Sequence, residues 1–281
     1  MVKFIQQISQ ILLIKLYSKW FSTIFNIKNI LFSNDKHTVI NVGILYICVG
    51  QYDKYFSKFY NSANKKLLKG SQKNYFVFTD SDKLINSYKY ITNINFIKTK
   101  KTGWPYDTLL RNRYFMQHFH LFDKMDYLIF CNANLVFKEN IFLNDLGLGT
   151  KNNLFGVLQP YYFHRSSNSF PVETRLLSNA FFSVDEIQHI QHYFQGCFYG
   201  GNYNNFRKLV ETINEWTDND LEKNIMPIWH DESYLNKYFY LNPPFVLHSG
   251  FAYPEEINLP FKKNILMLQK SKQTDHILLR S

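Results

Sequence analysis

A chain of 281 residues is long enough for one large domain or two small ones, and its 46% hydrophobic and 18% aromatic content excludes a disordered protein. The formal net charge of +10 favours polyanionic partners, but the excess of Lys, Asn, Ile, Phe and Tyr is a general compositional bias. It weakens a nucleic-acid reading and leaves a nucleotide diphosphate or an anionic membrane surface.

Residues Met1 to Lys36 carry Lys3, Lys15, Lys19, Lys28 and Lys36 against Asp35, with Ile5, Ile8, Leu12, Leu16 and Trp20 at helical spacing. The pattern predicts a basic amphipathic helix. Its longest apolar run, Ile11 to Ile14, is far short of the roughly 20 residues a bilayer span needs, and no small-residue cleavage site follows. Such a helix suits an anionic leaflet, and suits equally well packing on the domain or against a second copy. The three cysteines, Cys48, Cys131 and Cys197, are spaced for neither a disulfide framework nor a zinc site and fit a reducing cytoplasm, with the membrane contact peripheral on its inner face.

The domain proper is read as residues 37–281. Val39 to Val49 is nearly all apolar, as in a strand buried on both faces. Tyr52 to Leu68 has helical periodicity, while Tyr75 to Thr79 and Tyr90 to Ile97 read as strands, giving a βαβ pattern. Trp104 to Phe122 reads as one helix, with Pro105 in its first turn and Asp107 and Thr108 near its start. Asp126 to Cys131 is the next buried strand. It ends at Asn132-Ala133-Asn134 before Leu135-Val136-Phe137 resumes an extended pattern, so the polar triplet stands at a carboxyl edge, where open α/β sheets bind ligands. Further on come a polar loop from Phe163 to Asn179, a Gly-rich corner at Gln195 to Gly201, and helices over Asn205 to Thr217 and His230 to Phe239, the last ended by Pro243 and Pro244.

Five stretches, Ile47 to Tyr52, Trp104 to Arg113, Phe130 to Phe137, Gln195 to Gly201 and Trp229 to Phe239, together resemble family six of the retaining glycosyltransferases, which holds the blood-group A and B transferases and the α-1,3-galactosyltransferases. The resemblance runs from about Val39 to the C-terminus. It implies an α/β fold of the GT-A type, a Rossmann-like mixed sheet flanked by helices in a single catalytic domain. It implies transfer of galactose or N-acetylgalactosamine from a UDP-sugar to a terminal, possibly fucosylated, galactose of a glycan, glycolipid or lipopolysaccharide.

Trp229-His230-Asp231-Glu232-Ser233-Tyr234 carries most of the resemblance. It implies that Glu232 is the carboxylate beneath the anomeric carbon, as nucleophile or as stabiliser of an oxocarbenium-like transition state, because retention requires one or the other. His230 and Asp231 become donor-binding candidates. Alone, Asp231 and Glu232 could simply open a helix, where acids offset the macrodipole.

Asn132-Ala133-Asn134 stands where the animal enzymes carry Asp-x-Asp, which binds manganese. Neutral amides are poor ligands for a hard cation beside a diphosphate, and the bacterial members similar to this chain carry the same triplet and are understood to act without metal. No cofactor is expected. Protein cations must then serve the diphosphate: Arg111 and the tail residues Lys270, Lys272 and Arg280. Metal-dependent transfer would need other carboxylates, with Asp80 and Asp82 as suppliers, and a non-catalytic sugar binder would need no Glu232 at all.

By the same resemblance Ile47, Val49 and Tyr52 hold uracil and ribose, Tyr52 by stacking. Gln195-Gly196-Cys197 chooses between the two sugars, and the bulk of Cys197 leans toward galactose. The acceptor candidates are Gln159, Glu173, Arg175, Trp229 and Glu255, in a region that departs from the family: Gln159 replaces a histidine and Pro171 a threonine.

Overall fold

The computed structural model describes residues 39–149 and 153–270. The expected N-terminal helix, the boundary at 36/37, Lys272 and Arg280 fall outside the described residues.

The apolar runs become the centre of a seven-stranded sheet. Its strands are β1 (Asn41–Ile47), β2 (Gln72–Thr79), β3 (Ile94–Lys98), β4 (Tyr127–Cys131), β6 (Leu154–Leu158), β7 (Phe194–Asn202) and β8 (Phe245–Leu247), in the order β3-β2-β1-β4-β7-β6-β8. β3, β2, β1 and β4 are mutually parallel, β7 runs against both β4 and β6, and β8 is parallel to β6. The sheet is therefore mixed, as the GT-A expectation requires.

Both faces are covered, which is why β1 and β4 read as unbroken apolar runs. Ile44 and Tyr46 face one layer with Phe56 and Phe59 of α1 (Phe56–Lys66). Leu45, Leu128 and Phe130 face the other layer. There they meet Phe115 of α4 (Arg111–Gln117), Phe206, Leu209, Val210 and Ile213 of α6 (Tyr203–Glu222), and Tyr234 and Leu235 of α7 (Asp231–Leu241). The i, i+3, i+4, i+7 spacing on α6 gives it one apolar stripe, and the Asn202 side chain caps it by accepting from the Asn205 N–H at 2.9 Å. Two shorter helices, α2 (Asp82–Tyr88) and α5 (Val184–His189), start at Ser81 and Ser183, whose hydroxyls cap them.

Three sequence expectations are corrected. β3 begins at Ile94 and not at Tyr90, which is 86% exposed in the preceding turn. The stretch from Trp104 to Phe122 is three short pieces, α3 (Tyr106–Leu109), α4 and a 3-10 turn over Phe119–Phe122, because Leu110 and His118 leave helical dihedrals. The Gly-rich corner at Gln195 to Gly201 is the inside of β7. Its glycines answer to crowding rather than to turning: a Cβ on Gly200 would lie 2.6 Å from the Leu128 carbonyl oxygen, and one on Gly201 2.3 Å from that of Asn153.

After β4 the chain leaves the main sheet. β5 (Leu135–Phe137) pairs with β10 (Ile265–Met267), which also pairs with β9 (Tyr253–Pro254). This small sheet returns the C-terminal segment to the carboxyl edge of β4.

One buried carboxylate ties the second half together. Asp220 of α6 accepts hydrogen bonds from the Ser178 hydroxyl (2.6 Å), the Asn179 N–H (2.9 Å), the Asn179 amide (2.6 Å) and the Tyr234 hydroxyl (2.9 Å). It joins the polar loop to α7. Replacing Asp220 by Ala strands these donors, so urea unfolding of the variant is expected to show a loss of about 3 kcal/mol, with Asp220→Asn intermediate.

Candidate active site

A cavity of about 130 Å³ opens at the carboxyl edge where β1 and β4 lie side by side. Ile47, Val49 and Tyr52 line it from the end of β1 and the turn after it, Phe130, Asn132 and Ala133 from the end of β4 and the residues that follow, Arg111 from α4, and Lys270 from the returning segment. Trp104, Asp107 and Thr108 complete the lining. Lys270 Nζ sits 5.2 Å from the centre of the Tyr52 ring, a cation–π contact.

Arg111 joins this cavity to the catalytic candidate. Its guanidinium lies 4.0 Å from the centre of the Phe130 ring, and Nη1 reaches both the Gly196 carbonyl (2.8 Å) and Asp231 Oδ2 (2.9 Å). Burial works against charge on both partners. At Arg111 burial is the largest single influence, yet Asp231, Tyr199 and Cys197 together hold it above its ordinary value, whereas burial prevails at Asp231, whose carboxyl is raised despite Arg111.

Gly196 is available because β7 bulges. Gly156 of β6 pairs with Tyr199, yet the next residue, Val157, pairs with Gln195, leaving 196–198 out of the ladder to β6. The released Gly196 N–H donates to Glu232 Oε2 at 2.8 Å. One residue thus accepts from Arg111 through its carbonyl and donates to Glu232 through its N–H.

Glu232 is partly buried in the first turn of α7. Burial pushes its carboxyl up to about 7; the Gly196 N–H opposes the rise and the neighbouring Asp231 charge adds to it. The chain enters α7 through His230, whose φ of 51° and ψ of −124° are costly for any residue with a Cβ, of order 1–3 kcal/mol. The His230 ring meets the Trp104 ring edge-on at 5.2 Å. Strain of this kind, held by surrounding packing, is typical of functional sites.

The remaining candidates divide. Asn132 lines the cavity, but Asn134 does not: it is buried, its amide donates to the Leu268 carbonyl at 2.7 Å, and its carbonyl oxygen lacks a hydrogen bond among the described residues. Asn134 therefore anchors the segment carrying Lys270 and is not a wall of the donor site. Gln195 and Cys197 are linked by a thiol-to-carbonyl contact of 3.3 Å.

On the acceptor side, the Glu173 carboxylate accepts from the Arg175 N–H and guanidinium and from the Ile228 N–H at 2.9 Å; burial works against its charge, but these donors hold it below its usual value. Arg175 also donates to the Met226 carbonyl. These two residues join the polar loop to the turn that leads into α7, and the Glu173 carboxylate is occupied by these internal donors. Gln159 Oε1 takes the Tyr161 N–H, and Glu255 takes the Gln269 N–H, next to Lys270. Trp229 remains 49% exposed beside His230. Asp80 accepts from the Gly50 N–H and Asp82 pairs with Lys98, and neither lines the cavity. No group of three or more His, Cys, Asp or Glu side chains among the described residues could hold a metal ion.

With this geometry established, comparison with known proteins decides the family. Residues 17–281 match the model of glycosyltransferase family 6, starting upstream of Val39. The chain belongs to glycosyltransferase family 6. It is 35% identical to the O-antigen biosynthesis glycosyltransferase WbnI of Escherichia coli over 83% of this chain and 96% of that one. It is 27% identical to globoside α-1,3-N-acetylgalactosaminyltransferase 1 of Gallus gallus over 73% of this chain, and 24% identical to histo-blood group ABO system transferase 2 of Rattus norvegicus over 77%. The alignments span 59% and 64% of those two animal proteins. As a member of the family the protein is a hexosyltransferase that takes a nucleotide-sugar donor and a glycan acceptor. No helix among the described residues is long and apolar enough to cross a membrane.

Of the residues around this family-6 site, Trp104, Asp107 and Thr108, which line the cavity, and Tyr193, which interacts with Glu232, escaped the sequence reading. Asp107 and Thr108 read as helix-start residues, and Asp107 does hold the Thr102 N–H and hydroxyl at 2.6 and 2.7 Å. Nothing in residue type or period marked Tyr193.

Because Glu232 titrates higher in the folded protein than in the unfolded chain, the unfolded state loses its proton first as pH rises. The stability cost grows from the ordinary carboxylate range and is complete above about 7. Glu232→Gln is therefore expected to melt a few degrees above wild type in mildly alkaline buffer and to show little gain in acid; equal gains at both would contradict this burial effect.

Proposed function

We propose that the protein transfers galactose or N-acetylgalactosamine, with a preference for galactose, from a UDP-sugar to a terminal galactose, possibly fucosylated, of a glycan or lipopolysaccharide, with retention and without a metal ion. The observation that carries the reading is Glu232, held by the Gly196 N–H beside the Arg111–Asp231 pair and next to a cavity at the carboxyl edge. The names of the relatives, an O-antigen glycosyltransferase and α-1,3-N-acetylgalactosaminyltransferases, support the substrate class.

In this reading uracil and ribose rest on Tyr52, Ile47 and Val49, and the sugar lies toward Asp231, Arg111 and Gly196. The bond between the anomeric carbon and the diphosphate oxygen breaks, its electron pair leaving with UDP. The acceptor hydroxyl oxygen forms the new bond, and its proton passes to the departing phosphate in same-face attack, or to solvent in the second step of a double displacement. Either route needs Glu232 ionised to face the positive anomeric carbon, so turnover should rise with pH through about 7.

The leaving diphosphate needs positive charge. Arg111 lines the cavity but its Nη1 is engaged by Asp231 and Gly196, which favours Lys270 for this role among the described residues. The amide at Asn134 donates to Leu268 and cannot offer a metal a negative charge, which supports the metal-free reading. Cys197, small-residue space partly filled beside Gln195, supports the lean to galactose. Contact of the basic N-terminal segment with an anionic membrane surface belongs to the same proposal.

The deciding assay measures UDP release from UDP-galactose and UDP-N-acetylgalactosamine with a β-galactoside or fucosylated galactoside acceptor, in EDTA and in manganese. Turnover in EDTA with inversion-free product is expected; dependence on manganese would remove the metal-free claim, and no turnover of either donor would remove the donor assignment. Lys270→Ala is expected to lower kcat by about 10- to 100-fold, with Lys270→Arg milder.

A further inference from the structure

Tyr193, the residue before β7, has no place in the scheme above. Its side chain is 2% exposed, with the ring wedged between Tyr162 (centroids 5.5 Å apart) and Phe170 (5.7 Å). Its backbone carbonyl accepts the Gln159 N–H at 2.9 Å, which fixes the main chain that carries the ring. Yet its hydroxyl makes no standard hydrogen bond among the described residues. A buried hydroxyl without a partner is costly, and such groups occur where the missing partner is functional.

The strand start that carries Tyr193 is pinned to the first turns of α7, the Phe194 N–H donating to Asn236 Oδ1 at 2.8 Å and the Asn236 amide donating to the Glu232 backbone carbonyl at 2.9 Å, and the neighbouring acceptor is the Glu232 carboxylate. The interaction runs both ways: the carboxylate raises the Tyr193 hydroxyl further after burial has done so, and the hydroxyl draws the Glu232 carboxyl down against burial. Among the described residues Glu232 has one fixed hydrogen bond, from Gly196 to Oε2, whereas an ionised carboxylate can accept about four. The other titratable groups facing it are Asp231 beside it on α7, Arg111 on α4 and Cys197 on β7. Arg111 is bound to Asp231, and the Cys197 thiol, raised by burial, stays neutral.

We propose that Tyr193 is a positioning residue for Glu232: its hydroxyl closes onto the ionised carboxylate and forms, with the Gly196 N–H, a two-donor cradle that fixes the oxygen facing the anomeric carbon. This rests on the transferase reading for Glu232. The same ring belongs to the cluster of Phe170, Val172 and Phe182 under the polar loop, so the cradle is seated on the acceptor side of the site.

The test reads the ionisation of Glu232 directly, by 13C NMR of glutamate-labelled full-length protein with Glu232→Gln as the assignment control. In Tyr193→Phe the midpoint is expected about one pH unit above wild type, and kcat about fivefold lower near neutrality but restored at alkaline pH, with donor KM unchanged. An unchanged or lower midpoint with an unchanged pH profile would overturn the proposal. Should Tyr193→Phe fail to fold, 3-fluorotyrosine at position 193, a more acidic donor, must move the midpoint the other way; no movement counts against the cradle. Failure of the transferase reading shows separately, as a wild-type protein that releases no UDP while the titration still answers for Tyr193.

Discussion

The site is organised around one buried guanidinium. Arg111 is stacked on Phe130 of β4, bound to Asp231 of α7 and bound to the Gly196 carbonyl of β7, so three elements far apart in sequence meet at one side chain. A buried ion pair of this kind contributes little net stability, because desolvation offsets most of the attraction, but breaking it by removing one partner leaves a stranded charge. Its consequence is geometric. Arg111 holds the Gly196 carbonyl at the bulge, and the N–H of the same residue donates to Glu232 on α7.

The arrangement also separates charge in a useful way. Burial raises both adjacent carboxyls at this helix start, and what opposes the rise differs: Arg111 most at Asp231, and the Gly196 N–H most at Glu232, with the Tyr193 hydroxyl and Arg111 adding to it while the Glu232 carboxyl still reaches about 7.

The sequence made the central sheet legible because burial on both faces leaves an unbroken apolar run, as in β1 and β4. It made Glu232, Arg111 and the nucleotide-side residues legible through the ordered segments around them. It hid what depends on crowding rather than on period. Gly200 and Gly201 look like a turn and are instead glycines pressed between Leu128 and Asn153. The bulge that frees Gly196 has no residue signature, and Tyr193 is one aromatic among many in a chain rich in them. Glu173 came from the resemblance as an acceptor candidate, and no residue pattern announced that internal donors occupy its carboxylate.

Asn134 sets a limit on how this chain can be remade. Its amide donates to the Leu268 carbonyl and its backbone carbonyl accepts the Leu268 N–H at 2.9 Å, two bonds that seat the segment leading to Lys270. A carboxylate there would set a negative charge against the Leu268 oxygen and loosen the very lysine that faces Tyr52. Converting the triplet to Asp-x-Asp is therefore not a simple exchange of one source of positive charge for another. On the metal-free reading proposed above, a path from the lysine to a metal passes through a protein that has weakened the seat of Lys270 before acquiring the ion.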